Sequence, residues 1–230
     1  MIPIYIGTEP AQKLATEVLK WSVLRRTKAQ VEFHELSNLP LGLKSKMYTG
    51  FSFYRYAIPE KCSYQGRAIY LDADIIVLAD IEELFSLKMD EKGVLARPQD
   101  LFPKRRFTSV MLMDCEKLKH WNIQNWVSLI NTGMESYQGL MEGRPGSLNH
   151  ADFGDLPAIW NTLDLFVPET KILHYTHVPS QPWKKPGHPF EKLFLEELQE
   201  AIKANKVSIE DVEKEIALGH VYPTILHALT

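Results

Sequence analysis

The sequence lacks the features that mark several protein classes. Its two cysteines, Cys62 and Cys115, share no metal-type spacing, so a disulfide framework is not expected. A membrane span needs about 18 uninterrupted apolar residues, and no segment of the sequence approaches that length. No signal peptide is visible. Lys and Arg number 26 against 29 Asp and Glu, a formal net charge of -3, which argues against a nucleic-acid binder. No internal repeat or low-complexity segment occurs. A cytoplasmic protein is expected.

The composition that remains is typical of a globular protein with a full core. Apolar residues make up 45% of the chain, and five of its 230 residues are tryptophan. Residues 2–6 predict a strand, residues 11–26 a helix and residues 31–36 a second strand. Such an opening is typical of a doubly wound α/β sheet, whose ligands lie at the carboxyl ends of its strands. Thr8 and Glu9 occupy such a position, although spacing alone favours a helix-capping role for Thr8.

The most specific pattern lies in residues 68–85. An apolar run with the composition of a strand buried on both faces ends on Asp72-Ala73-Asp74. Two carboxylates at the end of such a strand are costly unless a positive charge lies between them. A divalent cation that also holds a phosphate-bearing ligand meets this need. The third aspartate, Asp80, forms a capping-box pattern with Glu83 and is not counted as a ligand.

Further elements follow from apolar periodicity and from turn and capping signals. Helices are predicted over residues 51–58, 116–130, 137–141, 191–205 and 208–218, and short strands over residues 93–96, 107–113, 165–167 and 171–174. Ser208 and Asp211 form a second capping-box pattern, and Gly219 is a helix stop. The last two helices are expected to pack on the domain.

Two isolated residues leave alternatives open. Arg55 is the single charge in an aromatic segment, a context typical of a surface arginine stacked on its neighbours. His174 ends the last apolar strand, where a histidine is most often a satisfied polar residue. It is also a candidate to complete a site begun by two aspartates, because oxygen and imidazole ligands together suit manganese.

The motifs in combination are more specific than any one of them. The N-terminal βα unit, the segment YRYAIP (residues 54–59), the strand ending Leu71-Asp72-Ala73-Asp74 and HYTHVPSQPW (residues 174–183) resemble the family 8 glycosyltransferases. That group contains glycogenin and bacterial galactosyl- and glucosyltransferases, and the resemblance covers roughly residues 2–183.

This resemblance implies a GT-A fold, with a Rossmann-like, mostly parallel sheet flanked by helices. Residues 1–189 would form the nucleotide-sugar-binding domain, and residues 190–230 a C-terminal helical extension packed on it. A UDP-sugar, with Mn²⁺ or Mg²⁺, would be the donor. The acceptor would be a saccharide or another hydroxyl-bearing molecule, and the oligomeric state is not indicated.

The resemblance also assigns residues. Asp72, Asp74 and His174 would be the metal ligands. The donor would be contacted by the set Thr8, Glu9, Arg55, Asp72, Ala73, Ser109, Gln181, Trp183 and Lys184. Gln181 stands where the family has a lysine, and Lys184, just beyond Trp183, is a candidate substitute for the missing charge.

The acceptor side departs from the family pattern. The Asp-Gln pair of the family is matched best by Tyr137-Gln138, and Asp152 and Asp155 are nearby carboxylates that could equally be loop or cap residues. The catalytic residue therefore stays open. The resemblance implies metal-dependent, retaining transfer of a hexose, glucose or galactose, from a UDP-sugar. The alternatives are a non-catalytic nucleotide-sugar-binding protein and a phosphatase-like hydrolase with Asp72 as nucleophile and Asp74 as general acid.

Overall fold

A computed structural model describes residues 1–143 and 148–229. The strands in these ranges are β1 (Ile2–Gly7), β2 (Val31–Leu36), β3 (Arg67–Asp72), β4 (Ile75–Val77), β5 (Val94–Pro98), β6 (Arg106–Asp114), β7 (Phe153–Asp155), β8 (Thr162–Leu163) and β9 (Ile172–His174). The helices are α1 (Lys13–Leu24), α2 (Ile58–Lys61), α3 (Ile81–Phe85), α4 (Ile123–Asn131), α5 (Tyr137–Met141), α6 (Glu191–Lys203) and α7 (Ile209–Ala217). Short 3₁₀ segments include Ser52–Ala57, Cys115–Leu118 and Val178–Ser180.

The chain folds into two compact units. The first comprises Met1–Glu9, Ala29–Asp72 and Glu82–Trp160, and the second comprises Pro10–Lys28, Ala73–Ile81 and Asn161–Thr230. The Asp72-Ala73-Asp74 segment is therefore one of the places where the chain passes from the first unit to the second.

A six-stranded sheet forms the first unit, in the order β2-β1-β3-β6-β5-β7. The pairs β1–β2, β1–β3 and β5–β7 are parallel, whereas β6 runs antiparallel to both β3 and β5. Three of its five pairs are therefore parallel. Ile69, Tyr70 and Leu71 of β3 are fully buried, which confirms the prediction of a strand covered on both faces.

The second unit is built around a three-stranded sheet, in the order β4-β9-β8. Helices α6 and α7 pack against α1 in an apolar cluster that includes Trp183, Phe194 and Val212. Both hydrogen bonds of the predicted capping box are present at α7, where Ser208 Oγ accepts from Asp211 N at 3.0 Å and Ser208 N donates to Asp211 Oδ2 at 3.0 Å.

Two sequence predictions of secondary structure are wrong. The helix predicted over residues 116–130 is broken into the 3₁₀ segment Cys115–Leu118 and helix α4. The break occurs because the Asn122 side chain accepts from Asn125 N at 2.8 Å and starts a new helix. The strand predicted over residues 165–167 is absent, and the strand β8 ends just before it. Asp164 has a φ of 46°, a conformation that ends a strand, and Leu165 beyond it is 56% exposed.

Other boundaries differ by a few residues. The helical segment after Ser52 continues through Pro59 as α2, because proline is tolerated in the first helical turn. In the part of the chain that the structure describes, no helix combines the length and the apolar character that crossing a bilayer requires. Cys62 and Cys115 are free thiols.

Candidate metal and donor site

Strand β3 places Asp72 at its carboxyl end, opposite Gly7 of β1. The Asp72 carboxylate receives two donors from the first unit. Arg55 Nη2 lies 3.0 Å from Asp72 Oδ1, and the Tyr70 hydroxyl donates to the same oxygen. Part of the positive charge that this carboxylate needs is therefore supplied by the protein itself.

Each of the three guanidinium nitrogens of Arg55 has a hydrogen-bond partner. Its Nε donates to Ser52 O at 2.6 Å, its Nη1 donates to Thr108 Oγ1 at 3.0 Å, and its guanidinium lies 4.7 Å from the centroid of the Tyr70 ring. Burial is the largest single effect and opposes the charged form of Arg55, but the Asp72 carboxylate and the neighbouring tyrosines together outweigh it, and the net effect raises the Arg55 pKa. With 4% exposure, Arg55 is stacked on an aromatic ring but does not lie on the surface, so that part of the sequence interpretation is wrong.

The contact between Tyr70 and Asp72 depends on a glycine in the adjacent strand. A Cβ atom added to Gly7 would lie 2.2 Å from the Tyr70 hydroxyl oxygen and 2.6 Å from Cδ2 of Phe51. Both distances are far below van der Waals contact, and Tyr70 and Phe51 are buried. Only glycine at this position lets the Tyr70 hydroxyl reach Asp72.

We therefore expect Gly7→Ala to lower the free energy of unfolding by about 1–3 kcal/mol, the usual cost of overpacking a close-packed interior. Urea denaturation measures this change. Tyr70→Phe removes the atom nearest the added methyl group, so Gly7→Ala/Tyr70→Phe should recover part of the loss relative to Gly7→Ala. A Gly7→Ala protein with wild-type stability would contradict the close approach.

The second unit brings Asp74 and His174 together. Strands β4 and β9 pair antiparallel with Ile75 opposite His174, and Tyr175 N donates to Asp74 O at 2.9 Å. His174 Nε2 consequently lies 3.1 Å from Asp74 Oδ1. Both residues are 7% exposed, so this polar pair is largely shielded from water.

Two neutral amides orient these side chains. Gln181 Nε2 donates to Asp74 Oδ2 at 2.7 Å and to Tyr175 O at 3.0 Å. Asn161 Oδ1 lies 3.3 Å from His174 Nδ1. In the neutral tautomer with the proton on Nδ1, this contact is a hydrogen bond to the amide oxygen and Nε2 presents its electron pair.

Two of the three side chains that the sequence predicted as metal ligands, Asp74 and His174, face each other in the second unit. Asp72, the third, ends β3 and precedes Asp74 by two residues in the chain. Among the described residues, Asp74 Oδ1 is a buried oxygen without a hydrogen-bond partner, and His174 Nε2 lies 3.1 Å from it. Carboxylate oxygens and a neutral imidazole are a donor set that suits Mn²⁺. The residues therefore fit a divalent cation.

The other residues predicted to contact the donor differ in their burial and in their hydrogen-bond partners. Helix α1 has Gln12 as its N-cap, so Thr8 does not cap it as spacing had favoured. Glu9 Oε2 accepts from Gly50 N at 2.9 Å. Ala73 and Ser109 are buried. In the second unit, Trp183 is 1% exposed and packs against Tyr175 and Phe194, while Lys184 is half-buried. The donor roles of these residues stay predictions.

The four acceptor-side candidates are scattered over the first unit. The Tyr137 hydroxyl is 2.8 Å from Ser52 Oγ and accepts from Tyr48 N at 3.0 Å. The other three also have side-chain partners, which are Glu142 for Gln138, Trp121 and His120 for Asp152, and Arg106 for Asp155. These contacts are structural, and a catalytic role for any of the four stays a prediction.

Sequence reasoning missed three residues that support the site. The sequence could have indicated that Tyr70 contacts Asp72, because residues i and i+2 of a strand share a face and Tyr70 precedes Asp72 by two. Thr108 lies beside Ser109 in a strand segment compared with the family, but it is 53 residues from Arg55, from which it accepts a hydrogen bond. Asn161, which contacts His174 Nδ1, carried no signal and lies 13 residues from that histidine.

Comparison with known proteins identifies similar chains. Residues 8–137, more than half of the chain, match the model of Glycosyl transferase family 8. Protein CDI of Arabidopsis thaliana is 26% identical over 243 residues, which cover 91% of each protein. Glycosyltransferase GlyB of Streptococcus pneumoniae serotype 4 (strain ATCC BAA-334 / TIGR4) is 33% identical over 119 residues, which cover 50% of this chain and 28% of GlyB.

Solved glycosyltransferase structures share the fold. The galactosyltransferase LgtC, solved in complex with donor and acceptor sugar analogs, superposes with a TM-score of 0.67 at 13% identity, covering 90% of this chain and 100% of LgtC. The bifunctional glycosyltransferase WbbM gives a TM-score of 0.68 at 13% identity, with 93% of this chain and 51% of WbbM covered. GlyE of Streptococcus pneumoniae TIGR4 gives 0.65 at 17% identity, with 96% and 64% covered. The predicted fold class, an α/β GT-A-like fold with a mostly parallel central sheet flanked by helices, is confirmed.

Proposed function

Because the chain belongs to glycosyl transferase family 8 and is a glycosyltransferase, we propose that it moves a hexose, glucose or galactose, from a UDP-sugar to a hydroxyl-bearing acceptor. The transfer retains anomeric configuration and depends on a divalent cation, Mn²⁺ or Mg²⁺. The observation that carries this proposal is the buried Asp74–His174 pair in the second unit, whose ligand atoms have the chemistry of a cation site.

The proposed roles follow from charge. Breaking the bond between sugar and diphosphate leaves negative charge on the departing nucleotide, and a bound divalent cation stabilises that charge without a proton transfer. Asp72, Asp74 and His174 would hold the cation. Arg55 and Tyr70 keep the Asp72 carboxylate in one orientation, and Asn161 accepts from His174 Nδ1 in the tautomer whose Nε2 can act as a ligand.

The remaining assignments are part of the same proposal. Thr8, Glu9, Arg55, Ala73, Ser109, Trp183 and Lys184 are proposed to form or support the donor pocket. No protein nucleophile is assigned, because retaining transfer can proceed on one face of the sugar. Residues 1–189 are proposed as the donor-binding domain, with the helices after residue 189 as its extension. A cytoplasmic location is also proposed, and the two free thiols are consistent with a reducing compartment.

The test measures UDP release from a panel of UDP-sugars in the presence of Mn²⁺. UDP-glucose or UDP-galactose should release UDP, chelation of the metal by EDTA should stop the release, and added Mn²⁺ should restore it. Metal-dependent UDP binding without hydrolysis or transfer from any donor would instead favour a non-catalytic nucleotide-sugar-binding protein. A phosphoaspartate trapped on Asp72 would favour a phosphatase-like hydrolase.

A further inference from the structure

The backbone of Gln181 is fixed by the residues that precede and follow it in the chain. It directly follows the 3₁₀ segment Val178–Ser180, and its carbonyl oxygen accepts from Lys184 N at 2.8 Å and from Lys185 N at 3.2 Å. Two residues further on, the Trp183 ring is buried against Phe194. The core of the second unit therefore sets the direction of the Gln181 side chain, which is 0% exposed.

The Gln181 amide has no donor left for a ligand. A side-chain amide carries two N–H hydrogens, and both are used, one on Asp74 Oδ2 at 2.7 Å and one on Tyr175 O at 3.0 Å. Within the described residues its Oε1 atom is buried without a hydrogen-bond donor, and a carbonyl oxygen repels phosphate oxygens. Gln181 therefore cannot hydrogen-bond a diphosphate while these two contacts persist.

The contact with Gln181 also fixes which Asp74 oxygen faces His174. With Oδ2 held by the amide, Oδ1 is turned toward His174 Nε2, 3.1 Å away. A neutral donor orients the carboxylate without cancelling its charge. A lysine ammonium at the same place would form an ion pair with Asp74 and compete with any cation for it.

We propose that Gln181 is a positioning residue that presents Asp74 to the divalent cation, and that it is not a contact of the donor. The inference deepens the proposed function and rests on it. It reassigns the position where this chain has glutamine in place of the family's lysine, because here the side chain supports a proposed metal ligand.

The test is direct titration of the metal-free protein with MnCl₂ in the absence of nucleotide. Binding is monitored by isothermal titration calorimetry or by the electron paramagnetic resonance signal of free Mn²⁺. Gln181→Met keeps the length of the side chain and removes both donors, and should weaken Mn²⁺ binding about 10- to 100-fold, as loss of an outer-shell partner usually does. The matched control is Gln199→Met. It also removes an amide donor in the second unit, one that bonds Ala228 O, and should leave Mn²⁺ affinity unchanged.

Gln181→Lys provides a second, independent variant that keeps a donor at this position. We expect it to weaken Mn²⁺ binding as well, because the ammonium pairs with Asp74. If Gln181 instead faced the donor, the lysine would tighten UDP binding and leave Mn²⁺ affinity as in the wild type, which would overturn the inference.

Thermal unfolding of the metal-free variants separates positioning from a merely structural role. A lower melting temperature of Gln181→Met with unchanged Mn²⁺ affinity would also overturn the inference, while the proposed function would stand as long as Asp74→Asn weakens Mn²⁺ binding. Wild-type protein that binds neither Mn²⁺ nor Mg²⁺ would overturn the proposed function itself. The two failures are therefore distinguishable.

Discussion

Asp74→Asn is expected to lower UDP-sugar turnover about 10²- to 10³-fold, equivalent to about 3–4 kcal/mol of transition-state stabilisation. Mn²⁺ binding should weaken with it, because a neutral amide oxygen is a much poorer ligand for a hard cation than a carboxylate. Donor binding and turnover should fall together, since both depend on the same cation. The measurements are steady-state UDP release and MnCl₂ titration.

The same substitution should not destabilise the metal-free protein. An asparagine at position 74 can keep its oxygen on Gln181 Nε2 and turn its NH₂ group toward His174 Nε2, to which it can donate when the ring is neutral with its proton on Nδ1. Removing a largely buried negative charge also removes a desolvation cost. Urea denaturation in EDTA should show wild-type or slightly higher stability.

Asp100→Asn is the matched control for this experiment. The Asp100 side chain is 77% exposed and pairs with Arg97, and asparagine keeps an oxygen that can accept from Arg97, so turnover, Mn²⁺ affinity and stability should all stay near wild type. If Asp74→Asn kept wild-type turnover and Mn²⁺ affinity, Asp74 would have no part in the site. The metal-dependent mechanism would then lose its central residue.

Arg55→Met should lower the free energy of unfolding by about 3–5 kcal/mol, the range found when one partner of a buried ion pair is removed. Arg55 is 4% exposed, and the Asp72 side chain is only 14% exposed. Without Arg55, the carboxylate keeps the Tyr70 hydroxyl but loses its charged partner, and the contacts to Ser52 O and Thr108 Oγ1 are lost as well. Chemical denaturation of metal-free protein gives the change directly.

The double variant Arg55→Met/Asp72→Asn tests whether the charge pair is the cause. It should recover part of the loss, with a coupling energy of about 0.5–3 kcal/mol between the two positions. Arg55→Lys should be intermediate, because an ammonium keeps the charge but cannot reach Ser52, Thr108 and Asp72 in one plane.

Arg105→Met is the surface counterpart. The Arg105 and Glu142 side chains are 31% and 24% exposed, so losing their 3.2 Å pair should cost less than about 1 kcal/mol. If Arg55→Met and Arg105→Met lowered the free energy of unfolding equally, the larger contribution expected from the buried Arg55–Asp72 pair would be contradicted.

The elements that sequence reasoning predicted well are those whose signals are local. Strand β3 was found from an uninterrupted apolar run, and α7 from the capping box at Ser208. The helix over residues 116–130 failed for an equally local reason. Asn122 is the cap of a new helix, but in a run of apolar periodicity it was taken for an interior position.

The candidate site shows the same difference between what local sequence signals indicate and what they do not. The types and order of Asp72, Asp74 and His174 were enough to nominate them as a group, because strand ends and ligand chemistry are visible in the residues themselves. The partners of these residues were not visible. Gln181 was expected to face the donor, and Arg55 was first placed on the surface, since nothing in the neighbouring residues identifies what a side chain will contact.

The sequence by itself therefore determined the family, the strand that ends at Asp72 and the chemistry of the candidate ligands. Only the tertiary structure decided that Arg55 pairs with Asp72, that Gln181 hydrogen-bonds Asp74 and that Asn161 contacts His174 Nδ1. The physical reason is separation along the chain. Gln181 lies 107 residues from Asp74, and periodicity, capping and turn chemistry act only over a few residues, whereas a hydrogen bond depends on where the folded chain brings its two atoms.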